Sequence, residues 1–223
     1  MIITGKPHRA IAFIDGFNVY HFLENNFPQC KWLDYRKLAQ RHLPQYATLT
    51  EVYYFSAYAT WDQKKVERHQ KYVEALRAIG IRIEINHFAN RRRNFVVPDK
   101  LSGKTFNTID GPIRGIIRTG YTFEEKSTDV SIGAHIIALA AKNEFDTALL
   151  ISGDTDFVPV IKIMNSSFSP KILRIAVPSF SMPGPFTQLL PNGFCRLITK
   201  SDLTKSLMDS PITGTSISKP PEW

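Results

Sequence analysis

The chain has 223 residues, of which 43% are hydrophobic, and this is enough material for the core of one large α/β domain. Its formal net charge of +8 favours a polyanionic partner such as nucleic acid, although basic proteins without such a partner also exist. Two cysteines without a metal or redox motif, no signal-peptide core and no span of membrane length exclude secreted disulfide scaffolds and membrane proteins. We expect a soluble cytoplasmic protein.

Strand and helix signals alternate along most of the chain. Apolar runs predict strands at residues 11–14, 51–58, 81–86, 147–151, 172–177 and 195–199. Helical periodicity or position predicts helices at residues 17–24, 34–41, 62–79, 130–142, 157–164 and 183–190. Asp34 is expected to cap the second helix, and Gly80 to end the third. This alternation predicts a three-layer, Rossmann-like α/β fold with a parallel sheet between helices on both faces.

Two segments depart from that alternation. Residues 90–125 contain three consecutive arginines, two prolines and scattered glycines, with strand-like pieces at 106–109 and 115–123. They are interpreted as an insertion or hairpin region within a domain that spans residues 1–200. Residues 201–223 are rich in serine, threonine and proline after Lys205, and this composition predicts a flexible C-terminal tail.

Acidic residues follow two of the predicted strands. Asp15 comes after the first strand, and Asp154 and Asp156 come after the fourth, while Asp129 opens the most apolar helix. Since parallel strands end at one edge of a sheet, these carboxylates should gather and repel one another unless a cation binds. Oxygen ligands without clustered Cys or His favour Mg²⁺ or Mn²⁺ over Zn²⁺. Such an ion supports hydrolysis of a nucleic acid backbone.

Each acid also has a purely structural interpretation. Asp154 or Asp156 could cap the helix that follows, and Thr128 or Asp129 could cap the helix that begins there. Asp15 could be a turn residue before Gly16. The residues alone leave both interpretations open.

Three motifs in order resemble the NYN domain family (LabA-like proteins among it), which belongs to the PIN-like nucleases. They are FIDGFNVY at residues 13–20, EKSTDV at 125–130 and LISGDTDFVP at 150–159, within a resemblance over about residues 10–180. It implies a PIN-like fold, a divalent metal site and endoribonuclease activity leaving a 5′-phosphate and a 3′-hydroxyl. The residues it implies as catalytic and metal-binding are Asp15, Asp129, Asp154 and Asp156, supported by Asn18, Ser152 and Thr155.

One position departs from the family pattern. Six residues beyond the aspartate of the Lys-x-x-Asp motif, many members carry another Asp, and this chain has His135. The histidine could ligate Mn²⁺ or accept a proton. It could instead be a hydrogen-bonded core residue, because a spacing of six places it on a different helix face from Asp129. The substitution bears on the number of bound metals and on the catalytic strength.

Basic residues in the irregular segment are candidates for contact with RNA. Lys126 could hold the scissile phosphate as a point charge, or it could be a solvated surface lysine. Arg91, Arg92 and Arg93 could grip phosphates without reading sequence, or form a solvated loop. The expected partner is single-stranded RNA, and the sequence is compatible with a homo-oligomer.

A second functional hypothesis keeps the fold without the activity. A catalytically weak or inactive PIN-like module would bind RNA or a protein partner; His135 favours this hypothesis, and the four aspartates oppose it. An aspartyl phosphatase would need an acid two residues after Asp15, where Phe17 stands. A nucleotide switch would need a Gly-x-x-x-x-Gly-Lys loop, which the sequence lacks.

Overall fold

The computed structural model describes residues 7–99, 103–108 and 111–223. The chain divides into two compact units, one formed by Met1–His87 with Ser127–Trp223 and the other by Phe88–Lys126. The strands are β1 His8–Asp15, β2 Ala47–Ala57, β3 Arg82–Pro98, β4 Lys104–Thr108, β5 Gly111–Lys126, β6 Thr147–Ile151, β7 Ile172–Val177 and β8 Cys195–Leu197. The α-helices are α1 Gly16–Asn26, α2 Tyr35–His42, α3 Gln63–Ala78, α4 Thr128–Ala141, α5 Val158–Ser167, α6 Gly184–Leu189 and α7 Lys200–Thr204.

The first unit is built on a parallel sheet. Within the described residues its strand order is β3-β2-β1-β6-β7-β8, and each neighbouring pair runs parallel. The order changes direction between β1 and β6: β2 and β3 follow β1 on one side, and β6, β7 and β8 extend the sheet on the other. In such a sheet, ligands bind beyond the carboxyl ends of the strands at this switch point.

Helices cover both faces of this sheet. Alternate residues of β1 point to opposite faces, so Ala12 and Ile14 enter one core and Ile11 and Phe13 enter the other. The first core includes residues of α1, α2, α3 and α7, and the second includes residues of α4, α5 and α6. The predicted three-layer α/β architecture is confirmed.

Local capping signals act as the sequence indicates. The carboxylate of Asp34 accepts hydrogen bonds from the backbone amides of Arg36 and Lys37 over 2.8 and 3.1 Å, and it thereby starts α2. Asp62 accepts from the amide of Lys65 at the start of α3. Gly80 follows α3 with a φ of +79°, a conformation that costs glycine little.

Residues 201–223, expected to form a flexible tail, pack against the first unit instead. The backbone amides of Asp34 and Met208 donate to the carbonyls of Ser206 and Trp32 over 2.7 and 3.0 Å. The ring of Trp223 lies 5.2 Å from that of Tyr72. The expectation was wrong because it rested on the polar composition of the segment. A few separated apolar residues within it are buried in the core: Leu203, Met208 and Ile212.

The second unit is an antiparallel ribbon, and its strand order is β4-β5-β3. Its β3 portion continues the strand that pairs with β2 through Arg82–Asn86, so β3 extends well past the predicted end at residue 86. Gly115 is required by close packing, because a Cβ atom there would lie 2.6 Å from the carbonyl oxygen of Val97. Of the predicted strand at 106–109, Ile109 lies outside the described residues.

Among the residues that the structure describes, none of the helices has the length and apolar character needed to cross a membrane.

Candidate metal centre

Two acidic loops leave the carboxyl edge of the sheet side by side. β1 and β6 are parallel neighbours with Ile14 opposite Ile151, so Asp15 and Ser152 emerge together. The hydroxyl of Ser152 donates to Oδ2 of Asp15 over 2.8 Å. Both residues are buried, with Asp15 only 4% exposed.

The remaining polar atoms of these residues connect the two loops further. Oδ1 of Asp15 accepts from the backbone amide of Asn18 over 3.0 Å and so caps α1. The Asn18 side chain reaches across and accepts from the amide of Gly153 over 2.9 Å. Ser152 Oγ also accepts from the amide of Asp154 over 3.1 Å. The position of the second loop is therefore set by the first.

Gly16 makes the first loop possible. A Cβ atom at this position would lie 2.5 Å from ring carbons of Tyr54 and 2.7 Å from the carbonyl oxygen of Phe55. These distances are too short for any side chain, so α1 can begin directly behind Asp15 only with glycine there.

Asp154 combines the two interpretations that the sequence leaves open. Its Oδ1 accepts from the amide of Asp156 over 2.9 Å and caps a 3₁₀ turn at Thr155–Phe157, which leads into α5. Its Oδ2 accepts no hydrogen bond within the described residues, so capping leaves an oxygen for a ligand. The Thr155 hydroxyl, expected to support this loop, is exposed and makes no hydrogen bond in the described part of the chain.

Asp129 does not cap α4. The N-cap residue is Ser127, which has a left-handed backbone (φ 70°) and makes no side-chain capping bond. Asp129 lies in the first turn of the helix, exposed, and its carboxylate accepts no hydrogen bond from any residue that the structure describes. Its carboxylate is therefore available to a ligand.

Three of the four predicted acids converge. Asp129, Asp154 and Asp156 each place one carboxylate oxygen within 4.8 Å of those of the other two. Asp15 lies outside this group, and its own carboxylate is engaged by Ser152 and Asn18. We call Asp129, Asp154 and Asp156 the acid cluster. It lies where the first turn of α4 approaches the loop after β6 and the 3₁₀ turn.

The electrostatics of the site reflect this crowding. Burial raises the pKa of the Asp15 carboxyl to about 6, with further contributions from the charges of Asp129 and Asp154, against the hydrogen bonds from Asn18 and Ser152. The pKa of Asp129 is also raised, by partial burial first and then by Asp154 and Asp156. Each acid thus raises the free energy of its ionised neighbours, and a bound cation would reverse that effect.

The donor set fits a hard divalent cation. Two oxygens bound to one Mg²⁺ at about 2.1 Å lie at most about 4.2 Å apart. The three carboxylate oxygens of the acid cluster lie within 4.8 Å of one another, close to this limit, and Asp129 and Asp156 are exposed side chains that can adjust to a common ion. All three ligands are carboxylates, which suit Mg²⁺ and Mn²⁺.

Comparison with known proteins identifies the family. The NYN domain model matches residues 9–169, most of the chain and all three acidic motifs. The chain belongs to the NYN domain family. NYN domains are part of the PIN-like nuclease superfamily, so the resemblance expected from the motifs is confirmed. None of the curated proteins matches the chain.

A solved structure resembles this NYN domain along nearly its whole length. It is that of a protein of unknown function, VPA0982, from Vibrio parahaemolyticus. The two share 16% identity at a TM-score of 0.50, and the alignment covers 89% of this chain and 98% of the other. At that identity the likeness concerns the fold alone.

The NYN domain holds Asp129 through a residue that sequence reasoning missed. At the end of the first unit's part of β3, Asn86 Nδ2 donates to Thr128 Oγ1 over 3.2 Å, and Asn86 Oδ1 accepts from Ser131 Oγ over 3.4 Å. Asn86 thereby connects the sheet edge to the first turn of α4. The available signal was its place at the carboxyl end of a predicted strand, where the two acidic loops also begin.

His135 lies apart from the acid cluster of this NYN domain. Its Nδ1 is 2.8 Å from the carbonyl oxygen of Ser131 and must carry the proton, because a carbonyl can only accept. Its ring packs 5.1 Å from that of Phe55, and its Nε2 faces Glu84 Oε1 over 3.9 Å. The hydrogen-bonded interpretation is supported, although the side chain is 35% exposed rather than fully in the core.

The basic residues expected to contact RNA belong to the second unit. Arg91, Arg93 and Lys126 converge on Glu124, with Arg91 Nε 3.2 Å and Lys126 Nζ 2.9 Å from Glu124 Oε2. Arg92 does not join them, because successive residues of a strand point to opposite faces. The structure thus brings together three of the four residues proposed for RNA contact.

Proposed function

We propose that this NYN domain is a metal-dependent endoribonuclease that hydrolyses phosphodiester bonds of single-stranded RNA. The observation that carries the proposal is the convergence of Asp129, Asp154 and Asp156 at the carboxyl edge of the sheet. The family supports it, since NYN domains are generally nucleases that act on RNA, and PIN-like nucleases usually use divalent metals.

The acid cluster would hold Mg²⁺ or Mn²⁺. Asp129 offers a carboxylate without a hydrogen-bond partner in the described residues, and Asp154 offers the oxygen not used in capping. Asp15 would complete the acidic set from the buried side, where its hydrogen bonds also hold both loops in place. When bound, the ion would polarise water and neutralise the charge that develops on the scissile phosphate.

The chain's own residues would do the rest of the work. Asn18 and Ser152 connect the two acidic loops, and Asn86 ties the first turn of α4 to the sheet edge. By analogy with PIN-like enzymes, cleavage would leave a 5′-phosphate and a 3′-hydroxyl. Lys126, Arg91 and Arg93, which converge on Glu124, would hold the strand through its phosphates.

The test is cleavage of an end-labelled single-stranded RNA in Mn²⁺, Mg²⁺ or EDTA. We expect metal-dependent cutting by the native chain and none by Asp154→Asn. Asp209→Asn is the matched control, because this aspartate is exposed in the C-terminal segment and the same change leaves the acid cluster intact. Full cutting by Asp154→Asn would contradict the assigned site.

A second candidate function is a catalytically weak or inactive module that binds RNA. The position of His135 favours it, because this side chain is bound to its own helix and adds no further charge to the acid cluster. A native chain that retains RNA in a gel shift but cuts nothing in either metal would support this candidate. Cutting at a rate that depends on the acid cluster would rule it out.

A further inference from the structure

The ribbon of the second unit has two distinct faces. The Phe95 ring lies against Gly120 and the guanidinium of Arg93 bonds Glu124, so odd residues of β3 share a face with even residues of β5. On the other face, Thr119 Oγ1 donates to Asn94 Oδ1 over 3.0 Å. Both sets of contacts agree with the two-residue period of a strand.

The charges of the two faces differ. The first face, which we call the cationic face, carries four cationic side chains and one acid among its members Arg91, Arg93, Phe95, Arg118, Gly120, Glu124 and Lys126. Within residues 91–95 and 117–126, the opposite face carries one cation and one acid among Arg92, Asn94, Ile117, Thr119, Tyr121, Phe123 and Glu125. Lys104 of β4, which pairs with Gly115, adds a second cation to that face. The cationic face therefore has the larger excess of positive charge and complements a polyanion better.

Glu124 organises the cations of that face without neutralising them. It accepts from Lys126 over 2.9 Å and from Arg93 Nε over 3.1 Å, and Arg91 Nε lies 3.2 Å away. Hydrogen bonds from Lys126 and Arg93 lower the pKa of its carboxyl to about 2. One negative charge among three positive ones leaves an excess for the phosphates of a ligand.

Phe95 supplies an apolar surface among these charges. Its ring carbons would lie 3.0–3.3 Å from a Cβ atom at position 120, so the ring packs closely over Gly120 and would have to shift by a few tenths of an ångström if a larger residue stood there. The side chain is 40% exposed. An aromatic ring that packs against a strand, is partly exposed and shares its face with cationic side chains is the arrangement on which unstacked bases bind.

We propose that the cationic face binds single-stranded RNA, with Arg91, Arg93 and Lys126 on phosphates and one base stacked on Phe95. The proposal rests on the proposed function and refines it, because it names the surface that holds the substrate and the form that the substrate takes. A duplex keeps its bases stacked on one another, and only a single strand offers a base to Phe95.

Binding can be measured without cleavage. The experiment uses the full chain carrying Asp154→Asn, in EDTA, with a fluorescent single-stranded RNA and anisotropy as the readout. On this background, Arg93→Ala should weaken binding about tenfold and lower the salt slope by about 0.7, as expected for one lost phosphate contact on a single strand. Arg92→Ala removes the same charge from the opposite face and should change the affinity less than about twofold.

The stacking contact has its own matched pair. Phe95→Ala should weaken binding by about tenfold, the usual effect of losing one base–aromatic stack, and Phe95→Trp should restore it. Tyr121→Ala removes a more exposed aromatic side chain from the opposite face and should leave the affinity unchanged. A duplex of the same length should bind more weakly than the single strand and should not respond to Phe95→Ala.

Substitution of Glu124 should change RNA affinity in the opposite direction. Glu124→Gln should tighten RNA binding several-fold, because it frees the surrounding cations, whereas Glu125→Gln on the opposite face should do so much less. Circular dichroism of each variant checks that the ribbon is retained. Equal effects on the two faces, or a duplex that binds as tightly as the single strand, would overturn the proposal.

The two proposals can fail separately. A face-dependent loss of binding in a chain whose native form never cuts RNA would leave this inference standing and remove the nuclease. If the chain cuts RNA in a metal-dependent way but substitution of Arg93 or Phe95 leaves binding unchanged, the nuclease proposal stands and the binding face is wrong.

Discussion

The hydroxyl of Ser152 donates to the buried carboxylate of Asp15 over 2.8 Å, although the two residues are 137 positions apart in the chain. The same oxygen accepts from the amide of Asp154. One side chain thus joins the end of β1 to the loop that carries two of the three acids in the cluster. The geometry of the candidate metal centre depends on that connection.

Ser152→Ala should destabilise the protein and impair the site. The change leaves an oxygen of Asp15 and the amide of Asp154 without their partner in a buried position, which costs about 1–3 kcal/mol of unfolding free energy. Metal-dependent cleavage should fall with it. Urea unfolding and initial rates measure both effects, with the exposed Ser166→Ala as a control that should change stability by less than about 0.5 kcal/mol. A fully stable Ser152→Ala chain would contradict the role given to this bond.

Asp15→Asn should change how stability depends on pH. The folded-state pKa of Asp15 is about 6, above the ordinary value of 3.8, so the folded protein holds this proton more tightly than the unfolded chain. The contribution of Asp15 to stability is therefore present below pH 4 and is lost as the pH rises to about 6. The loss amounts to about 3 kcal/mol from a shift of about two units.

The asparagine variant carries no such charge, so it should gain stability relative to the native chain between pH 4 and pH 6. Urea unfolding of both chains in EDTA measures this difference. Parallel stability profiles across that range would show that the carboxyl of Asp15 is not perturbed by burial.

Asn86→Ala should weaken metal binding more than it weakens the fold. Asn86 bonds Thr128 and Ser131 in the first turn of α4, and within the described residues its side chain makes no hydrogen bond to an acid, so its loss frees that turn to move Asp129. Removal of a residue that orients a ligand typically costs about tenfold in metal affinity. Titration with Mn²⁺ followed by electron paramagnetic resonance measures the affinity. Asp129→Asn removes the proposed ligand itself and should give the lowest Mn²⁺ affinity of the series.

If Asn86 were merely structural, its variant would lose stability but keep the native affinity for Mn²⁺. Ser131→Ala is the graded control, because it removes only the longer of the two hydrogen bonds of Asn86. Its effect on the affinity should lie between that of the native chain and that of Asn86→Ala.

Ending the chain at Lys205 should destabilise the first unit. The removed segment contains the buried side chains of Met208 and Ile212, and burial of each contributes about 1.5–3 kcal/mol. Urea unfolding should therefore show a loss of at least about 3 kcal/mol. Should the short chain fail to fold, Ile212→Ala in the full chain should lose about 2–5 kcal/mol, and the exposed Thr213→Ala almost nothing. A flexible tail would make all three changes neutral.

Much of the fold could be predicted from local patterns. β6 and β7 have the predicted bounds because their apolar runs end at residues that stop a strand, Ser152 and Pro178. Asp34 caps its helix through bonds to amides two and three residues ahead, which nearest neighbours decide. The placement of acids at strand ends likewise follows from the sequence once the sheet is taken as parallel.

The tertiary structure decided which polar groups meet. Whether Asp129 is a cap or a ligand depends on the backbone of Ser127 and on the nearby Asp154 and Asp156, not on its own surroundings in the sequence. The roles of Asn86 and Ser152 and the packing of residues 206–223 also rest on partners far along the chain. Local patterns predict helices and strands because capping and hydrophobic periodicity depend on residues close together in the sequence. A site or a packed segment forms only where the fold brings distant residues within a few ångströms.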